Sequence, residues 1–581
     1  MVILGVNAFH GDAAAALLID GRLVAAAEEE RFRRIKHWAG FPAQAIKYCL
    51  REAQMNLADV DYVAVNSAPG VQWPRKLGYI ARTWPSPRWL LARVANAGNK
   101  IGVAERLNRI GAGGVFQGSV RRIEHHRAHL ASAYFLAPFS EAVAVSVDGF
   151  GDFASAAWGI GRGNALAVQD RVYFPHSLGI FYQAITQYLG FPHYGDEYKV
   201  MGLASYGKAR QLDAMRRLVQ CHADGKYTLA LEYFRHHRER IDYRWEEGCP
   251  RVGRLFSAAL EDLLGPCRQP DEEIEPRHRD IACSAQTIYE YALFHLLNSL
   301  YRCYPIAALT LAGGCAMNSV ANGKITKFTP FRELFIQPAA GDAGGALGAA
   351  YAALYDLAPP PTRAVLTHAY WGPQFTEADI AEALGSRRSE WHARGCRAMR
   401  IDRIADLCQD IAGAIAAGAV VGWFQGRMEW GPRALGNRSI LADPRRTDMQ
   451  EMLNRKIKRR EAFRPFAPTV LREAVADWFE TDVDEPFMLR VIPIRADRRA
   501  LIPAVTHSDG TGRLQTLRYI DNPLFYQLIK AFYAITQVPM LLNTSFNESE
   551  PIVFQPAEAL DCFLRTEMDV LVLAQWVIRK A

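Results

Sequence analysis

A chain of 581 residues is long enough to bury more than one core, so two or three domains are expected. Half of the residues are hydrophobic and 22% are charged, an ordinary globular composition that excludes extensive disorder. The formal net charge of +7 does not by itself point to nucleic acid, but its placement is uneven: Arg427 to Arg464 holds 11 Lys/Arg against 5 Asp/Glu. Such a local surplus suits an anionic ligand. The ten cysteines form no C-x-x-C pair and no zinc-ribbon spacing, a reduced pattern. The start, MVILGVNAFHGD, has no basic leader and meets Asp12 too early for a secretory signal. The apolar run from Ile411 to Gly426 is 16 residues, too short for a bilayer, and reads as a helix end followed by a buried strand. A cytoplasmic enzyme without membrane or nucleic-acid partners is expected.

In chain order, VILGVNA is a continuous apolar strand followed by a polar tip at His10, Gly11 and Asp12. AAALLIDG then turns at Asp20-Gly21 into RLVAAAEEE, a hairpin signal. The arrangement returns at AVAVSVDG, Ala142 to Gly149, which ends near Asp148 and leads through FGDF into ASAAWGIGRG. The chain thus holds two copies of one module: buried strand, acidic tip, hairpin. From Leu309, LTLAGGCAMNSVANGK supplies an apolar strand, a tight Gly313-Gly314 turn and a helix start, where backbone can approach a ligand and the helix amino terminus favours phosphate. A second small-residue loop, AAGDAGGALGAAYAAL, carries Asp342 into an Ala-rich helix. Three prolines in LAPPPTRA mark a boundary that divides the chain into 1–360 and 361–581. Beyond it, the helix IADLCQDIAGAIAAG, the strand VVGWFQG and further strands such as VLVLAQWVI make a second α/β domain.

Chemistry concentrates in a few places. IEHHRAHLASAYF puts His125 and His129 at i and i+4, on one helix face, where two imidazoles can grip one borderline metal such as iron or zinc. The H-E-x-x-H glutamate is missing, so no zinc-protease base is supplied. Asp148 at a strand end and Asp342 in a glycine loop complete a set of two imidazoles and two carboxylates, with coordination positions left for phosphate oxygens. The second domain offers Arg427, Arg433 and Arg438 in WFQGRMEWGPRALGNRS, Lys458 and Arg464 in NRKIKRREAFRPFAP, and Ser545 in LLNTSFNESEPIV. Arginine forks and a lysine charge suit carbamoyl phosphate or ATP better than a polynucleotide. The segment from Ser67 to Gly118, rich in Trp, Arg and Pro, is a candidate wall for a substrate pocket or a plain connecting insertion.

The duplicated module with an acid at each tip resembles the actin, sugar-kinase and chaperone ATPase superfamily (ASKHA), in which a nucleotide sits between the two copies. The ordered motifs are more specific. DAAAALLIDG, AEEERF, HHRAH, SVDGFGD, KVMGLASYGK, AGGCAMN, QGRMEWGPRALGNRS, FRPFAP and LNTSFN, spread over nearly the whole chain, resemble the NodU/CmcH/TobZ family of O-carbamoyltransferases. The resemblance implies an α/β protein with a duplicated ASKHA amino-terminal domain like that of the tRNA threonylcarbamoyl transferases and a YrdC-like carboxy-terminal domain. It implies that carbamoyl phosphate and ATP, with Mg2+, give carbamoyl adenylate in the second domain, and that the first transfers the carbamoyl group to an acceptor hydroxyl. By motif, the metal ligands, for Fe2+ in relatives, are His125, His129, Asp148 and Asp342. Lys199, Gly313, Gly314, Asn318 and Asn322 match nucleotide-binding positions, and Lys458, Arg464, Arg513 and Ser545 match positions that hold carbamoyl phosphate or ATP. Relatives carry a His directly before the Asp of the first tip as a candidate base; here Gly11 separates His10 from Asp12, and both stay candidates. A small-molecule kinase, a tRNA threonylcarbamoyl transfer enzyme and a non-catalytic nucleotide-gated binding protein are the rival readings.

Overall fold

The computed structural model describes residues 1–83, 102–239, 243–244 and 247–580 and divides into two compact units, Met1–Leu366 and Thr367–Ala581. The division falls just after the Pro359-Pro360-Pro361 stretch, whose rings cannot continue a helix.

The first unit holds two five-stranded sheets. One is built from β1 (Val2–Asn7), β2 (Ala14–Ile19), β3 (Arg22–Glu28), β4 (Tyr62–Val65) and β5 (Ser119–Arg122), in the order β3-β2-β1-β4-β5. The other is built from β6 (Glu141–Gly151), β7 (Ala154–Arg162), β8 (Ala165–Tyr173), β9 (Ala308–Ala312) and β10 (Glu333–Ile336), in the order β8-β7-β6-β9-β10. Strand senses repeat as well. In both sheets the first three strands form an antiparallel meander and the last two join the leading strand in parallel. The duplication expected from the repeated strand-tip-hairpin pattern is therefore a property of the whole sheet. The leading strands carry buried apolar runs, Val2–Val6 and Ala142–Val145, because both faces are covered, as parallel neighbours require.

Among the helices of this unit, those that bear on the site are α1 (Ala43–Glu52), α2 (His125–Tyr134), α3 (Glu197–Ala204), α4 (Ser319–Phe328) and α5 (Gly344–Leu357). The helix following each sheet crosses to the other one. Helix α2 packs on β6, β7 and β9, whereas α5 packs on β1, β2 and β4, and the two helices pack on each other. Glycines make the approach possible. A Cβ on Gly348 would lie 1.8 Å from the Ala128 carbonyl oxygen, and one on Gly5 would lie 2.0 Å from that of Ala346.

The second unit is a single nine-stranded mixed sheet. Its strands are β11 (Arg397–Arg400), β12 (Val421–Phe424), β13 (Arg438–Ala442), β14 (Ala467–Leu471), β15 (Arg490–Pro493), β16 (Thr511–Leu517), β17 (Met540–Ser545), β18 (Val570–Leu573) and β19 (Trp576–Arg579). The order is β11-β19-β18-β12-β13-β17-β14-β16-β15, with parallel pairing only at β12–β18 and β14–β16. Helices α6 (Ile404–Ala416) and α7 (Pro523–Thr536) pack together, and their Leu407, Ile411, Leu528 and Phe532 join Trp423 and Leu541 in one buried core. The apolar run from Ile411 to Gly426 is thus a helix end and a buried strand. Among the described residues no helix is long and apolar enough to cross a membrane.

Candidate functional site

Helix α2 begins at His125 because Glu124 caps it. The Glu124 carboxylate accepts from the backbone N–H groups of His126 (3.2 Å) and Arg127 (2.9 Å), the interaction that fixes a helix start. Asp152, in the turn after β6, accepts from the His125 N–H at 3.0 Å and from the Ala68 N–H at 2.7 Å. One helical turn then brings His129 beneath His125. Their Nε2 atoms are 3.0 Å apart, and each is 3.1 Å from Asp148 Oδ2 and 3.5 Å from Asp342 Oδ1. One ligand atom from each of His125, His129, Asp148 and Asp342 lies within 4.8 Å of every other. The structure brings all of the sequence-predicted metal ligands together.

The electrostatics of this cluster are strained in a telling way. Burial opposes charge on His129, Asp148 and Asp342. At His129 the two carboxylates outweigh burial and push the imidazole up to about 9. At Asp148 the imidazoles of His125 and His129 overcome burial and hold the carboxyl well below the usual range. Asp342 goes the other way, raised by burial and then by the charge of Asp148. Its Oδ1 is buried and accepts no hydrogen bond. Buried oxygens without partners are rare, and two imidazoles with two carboxylates form a donor set that suits a borderline divalent cation. The residues present fit a metal. His126 faces away: its Nδ1 meets Ser146 Oγ at 3.0 Å, and burial pushes it down to about 4, so it stays neutral.

The glycine loop closes over the same point. The Gly314 N–H donates to Asp148 Oδ1 at 3.0 Å. Gly313 has φ +88°, and a Cβ there would lie 2.3 Å from the Val147 carbonyl oxygen, so only glycine fits. Asn318 caps α4 by accepting from the Ala321 N–H at 3.1 Å and exchanges two hydrogen bonds with Gln286. Asn322 is fully buried and donates to the Ala316 carbonyl at 2.7 Å, holding the loop from within. Lys199 on α3 pairs with Asp196 at 2.7 Å.

His10 and Asp12 separate in role. The His10 ring centroid lies 5.4 Å from that of His125. Asp12, held at φ +55° by the Asn7 amide, which donates to the Gly11 and Asp12 carbonyls, has its Oδ1 2.7 Å from His37 Nδ1. His37 also donates its backbone N–H to Glu30 at 2.8 Å. Burial disfavours the His37 cation, but Asp12, followed by Glu30 and Glu197, pushes it up to about 9. Glu197 itself is raised to about 7 by burial. Sequence reasoning missed His37, Glu30 and Glu197 as site residues. AEEERF was visible as a motif, and its geometry now has a reason: Glu29 fastens the start of α1 through the Gln44 and Ala45 N–H groups while Glu30 fastens His37.

The second unit gathers cations. Lys458 is buried, and its Nζ donates to the Ser545 and Asn547 carbonyls, to Ser545 Oγ at 3.3 Å and to Asn547 Oδ1 at 2.7 Å. Lys458 and Ser545, predicted from separate motifs, therefore meet at the end of β17. Arg464 pairs with Glu461 at 2.6 Å. Arg513 on β16 is held well below the ordinary arginine range, first by burial and then by the charges of Arg433 and Arg460. Among the described residues no carboxylate pairs with Arg513. Arg433 and Arg460 thus lie close enough for their charges to bear on Arg513, a local concentration of positive charge that suits an anion. Two other arginines of the basic stretch serve the fold. Arg438 is fully buried and donates to the Gln425, Gly426, Pro373 and Asn437 carbonyls, and Arg427 donates to those of Trp371 and Gly372. Glu429 Oε1 accepts from the Leu435, Asn437 and Arg438 N–H groups, which shapes the GPRALGNRS loop.

Comparison with known proteins matches this division. The family model described as carbamoyltransferase N-terminus matches residues 2–351, and that described as carbamoyltransferase C-terminus matches residues 412–580. An uncharacterized protein of Synechocystis sp. (strain ATCC 27184 / PCC 6803 / Kazusa) is 40% identical, covering 100% of this chain and 96% of that protein. Nodulation protein NolNO of Sinorhizobium fredii is 38% identical over 99% of this chain and 80% of its own length. A 3'-hydroxymethylcephem-O-carbamoyltransferase of Amycolatopsis lactamdurans is 33% identical over 47% of this chain and 49% of its own. With both family models matched in order, one by each unit, the chain belongs to the carbamoyltransferase family of enzymes.

Proposed function

We propose that this carbamoyltransferase uses carbamoyl phosphate and ATP to make a carbamoyl adenylate in the second unit, and transfers the carbamoyl group to a hydroxyl of a small molecule or sugar at the histidine-aspartate centre of the first. The observation that carries the reading is the convergence of His125, His129, Asp148 and Asp342 beside the Gly313-Gly314 loop. On this reading the first unit is an ASKHA fold, which its repeated strand order supports, and the second is YrdC-like.

In the second unit, water splits carbamoyl phosphate to carbamate and phosphate; a carbamate oxygen then attacks the α-phosphorus of Mg2+-bound ATP and pyrophosphate leaves. Lys458, Arg464, Arg513 and Ser545 hold the phosphates, with Arg433 and Arg460 adding charge around Arg513. In the first unit, the residues present fit a divalent metal, Fe2+ by family resemblance, and when bound it supplies Lewis-acid stabilisation of charge on the adenylate oxygens. Gly313, Gly314, Asn318 and Lys199 shape the nucleotide's place. His10, against His125, takes the proton of the acceptor hydroxyl as its oxygen attacks the carbamoyl carbon and AMP departs. Asp12 instead holds His37 protonated at the edge of the site.

The discriminating experiment follows products from purified chain given ATP, carbamoyl phosphate and Mg2+. Release of pyrophosphate that depends on carbamoyl phosphate is expected; ADP would mean a kinase, and no turnover a binding protein. Mixed-acceptor incubation with carbamoyl-labelled substrate, read by mass increase at a hydroxyl, tests the second step.

A further inference from the structure

A cavity of about 600 Å³ opens in the first unit beside the turn that joins β6 to β7. Its walls come from the helix Trp73–Thr83, from the end of β8 and the residues after it, and from the loop around Asp224–Thr228. The helix belongs to the Trp- and Arg-rich segment from Ser67 to Gly118, of which residues 84–101 lie outside the described residues. Nothing in the adenylate chemistry uses this cavity.

We infer that the cavity receives the acceptor, and that the acceptor carries an anionic group next to a ring; this rests on the reading that the chain carbamoylates a hydroxyl. Charge is the first ground. Arg75, Arg82, Arg171 and Lys226 line the cavity against a single carboxylate, Asp224. Arg171 is paired with Glu124 at 3.2 Å and Lys226 with Asp170 at 2.6 Å. Among the described residues neither Arg75 nor Arg82 forms a salt bridge, although Asp170, paired with Lys226, lies close enough to Arg75 to feel its charge. Arg75 lies 3.8 Å from the centroid of the Tyr173 ring, a cation held ready over a flat surface.

The second ground is the aromatic wall. Tyr79, Phe153 and Phe174 pack against one another, with Tyr79 edge-on to Phe153 at 6.0 Å and to Phe174 at 5.1 Å. The Tyr79 hydroxyl donates to the His237 carbonyl at 2.8 Å, which fixes the ring. A rigid aromatic surface beside arginines is complementary to a sugar or aromatic ring that bears an acid.

Address is the third ground. Three structural links join the cavity wall to the elements that carry the histidine-aspartate cluster. Phe153 follows Asp152, whose carboxylate holds the His125 N–H. Arg171 holds Glu124, the cap of the helix that carries His125 and His129. Phe174 packs at 4.9 Å on Phe150, two residues beyond Asp148. Asp152 and Phe153 both sit at positive φ, +47° and +74°, in a region that bulky residues avoid. Backbone strain of this kind collects at functional turns, and here it points the acid at the metal helix and the ring at the cavity.

The anion can be a carboxylate or a phosphate, and the test separates them. Binding to the full-length chain is measured by calorimetry for phenyl β-D-glucuronide, phenyl β-D-glucoside 6-phosphate and neutral phenyl β-D-glucoside. At least one anionic glycoside is expected to bind about tenfold or more tightly than the neutral one, with an affinity that falls as salt rises. Arg75→Ala and Arg82→Ala are each expected to weaken that binding about fivefold, the size of one exposed charge contact, with the thermal midpoint unchanged because both side chains are at the surface. Equal binding of neutral and anionic probes, or full binding by the double variant, overturns the assignment. Pyrophosphate release by the unaltered chain is measured in parallel. Its loss with anion binding intact sinks the adenylate reading alone, and its presence without anion binding sinks the cavity assignment alone.

Discussion

The two units solve opposite electrostatic problems. In the first, two imidazoles and two carboxylates are buried together, and Asp148 is driven down while Asp342 is driven up. In the second, Arg513 is buried under the added charges of Arg433 and Arg460, and among the described residues no carboxylate pairs with Arg513 itself. Burial works against charge in both, and on the proposed reading each would be relieved by a ligand of definite charge: a cation in one, an anion in the other. Sites of this kind carry their specificity as stored conflict.

Substitutions in each unit test whether these charges serve ligands or the fold. The largest effect is expected for His129→Ala, which removes one of two nitrogen donors. Acceptor carbamoylation should fall by about a hundredfold or more, with loss of bound divalent metal measured by plasma emission. A variant that keeps its metal and its activity would show that the donors are structural. Next comes Arg513→Met. It should raise the KM for carbamoyl phosphate or ATP about tenfold or more in pyrophosphate release, while raising the melting temperature of the second unit by about 2–4 °C, since a crowded guanidinium is removed. A drop in both would mean that Arg513 holds the fold.

Gly348→Ala tests the frame behind the first site. Its Cβ would meet the Ala128 carbonyl at 1.8 Å and force α5 away from α2. A loss of about 1–3 kcal/mol in denaturant unfolding is expected, as for other overpacked cores. The smallest effect concerns His37, whose folded value of about 9 lies above its ordinary 6.5. A raised histidine stabilises fully below its unfolded value and loses that contribution as pH rises through the folded one. Stability should therefore decline between pH 6.5 and 9 by about 1 kcal/mol after screening at this partly exposed pair. His37→Gln should flatten that decline, and an unchanged pH profile would remove the Asp12–His37 pair from the account.

Much of the first site was legible in the sequence because it is local or periodic. A four-residue spacing states that His125 and His129 share a face, and the buried apolar run that gives way at Asp148 states where its carboxylate emerges, although the strand itself runs on to Gly151. The repeated strand-tip-hairpin pattern also announced the duplication. What stayed hidden was set by tertiary approach. His37 lies 25 residues from Asp12 with no spacing that links them. Arginine is the harder case. Arg427, Arg433 and Arg438 look alike in one glycine-rich passage, yet two of them donate to backbone carbonyls and the third faces Arg513. Only the carbonyls left open by the surrounding loop decide which is which, and a sequence does not show them.

The crossing of α2 and α5 has a consequence for ancestry. Each half of the first unit lends its closing helix to the other, so a solitary half would leave one face of its sheet bare and one apolar helix without a home. Two such halves satisfy one another by exchange, as protomers do in a swapped dimer. The fused chain has the form of a swapped dimer made permanent, and one of the exchanged helices, α2, carries His125 and His129 to Asp148 on the sheet of the other half.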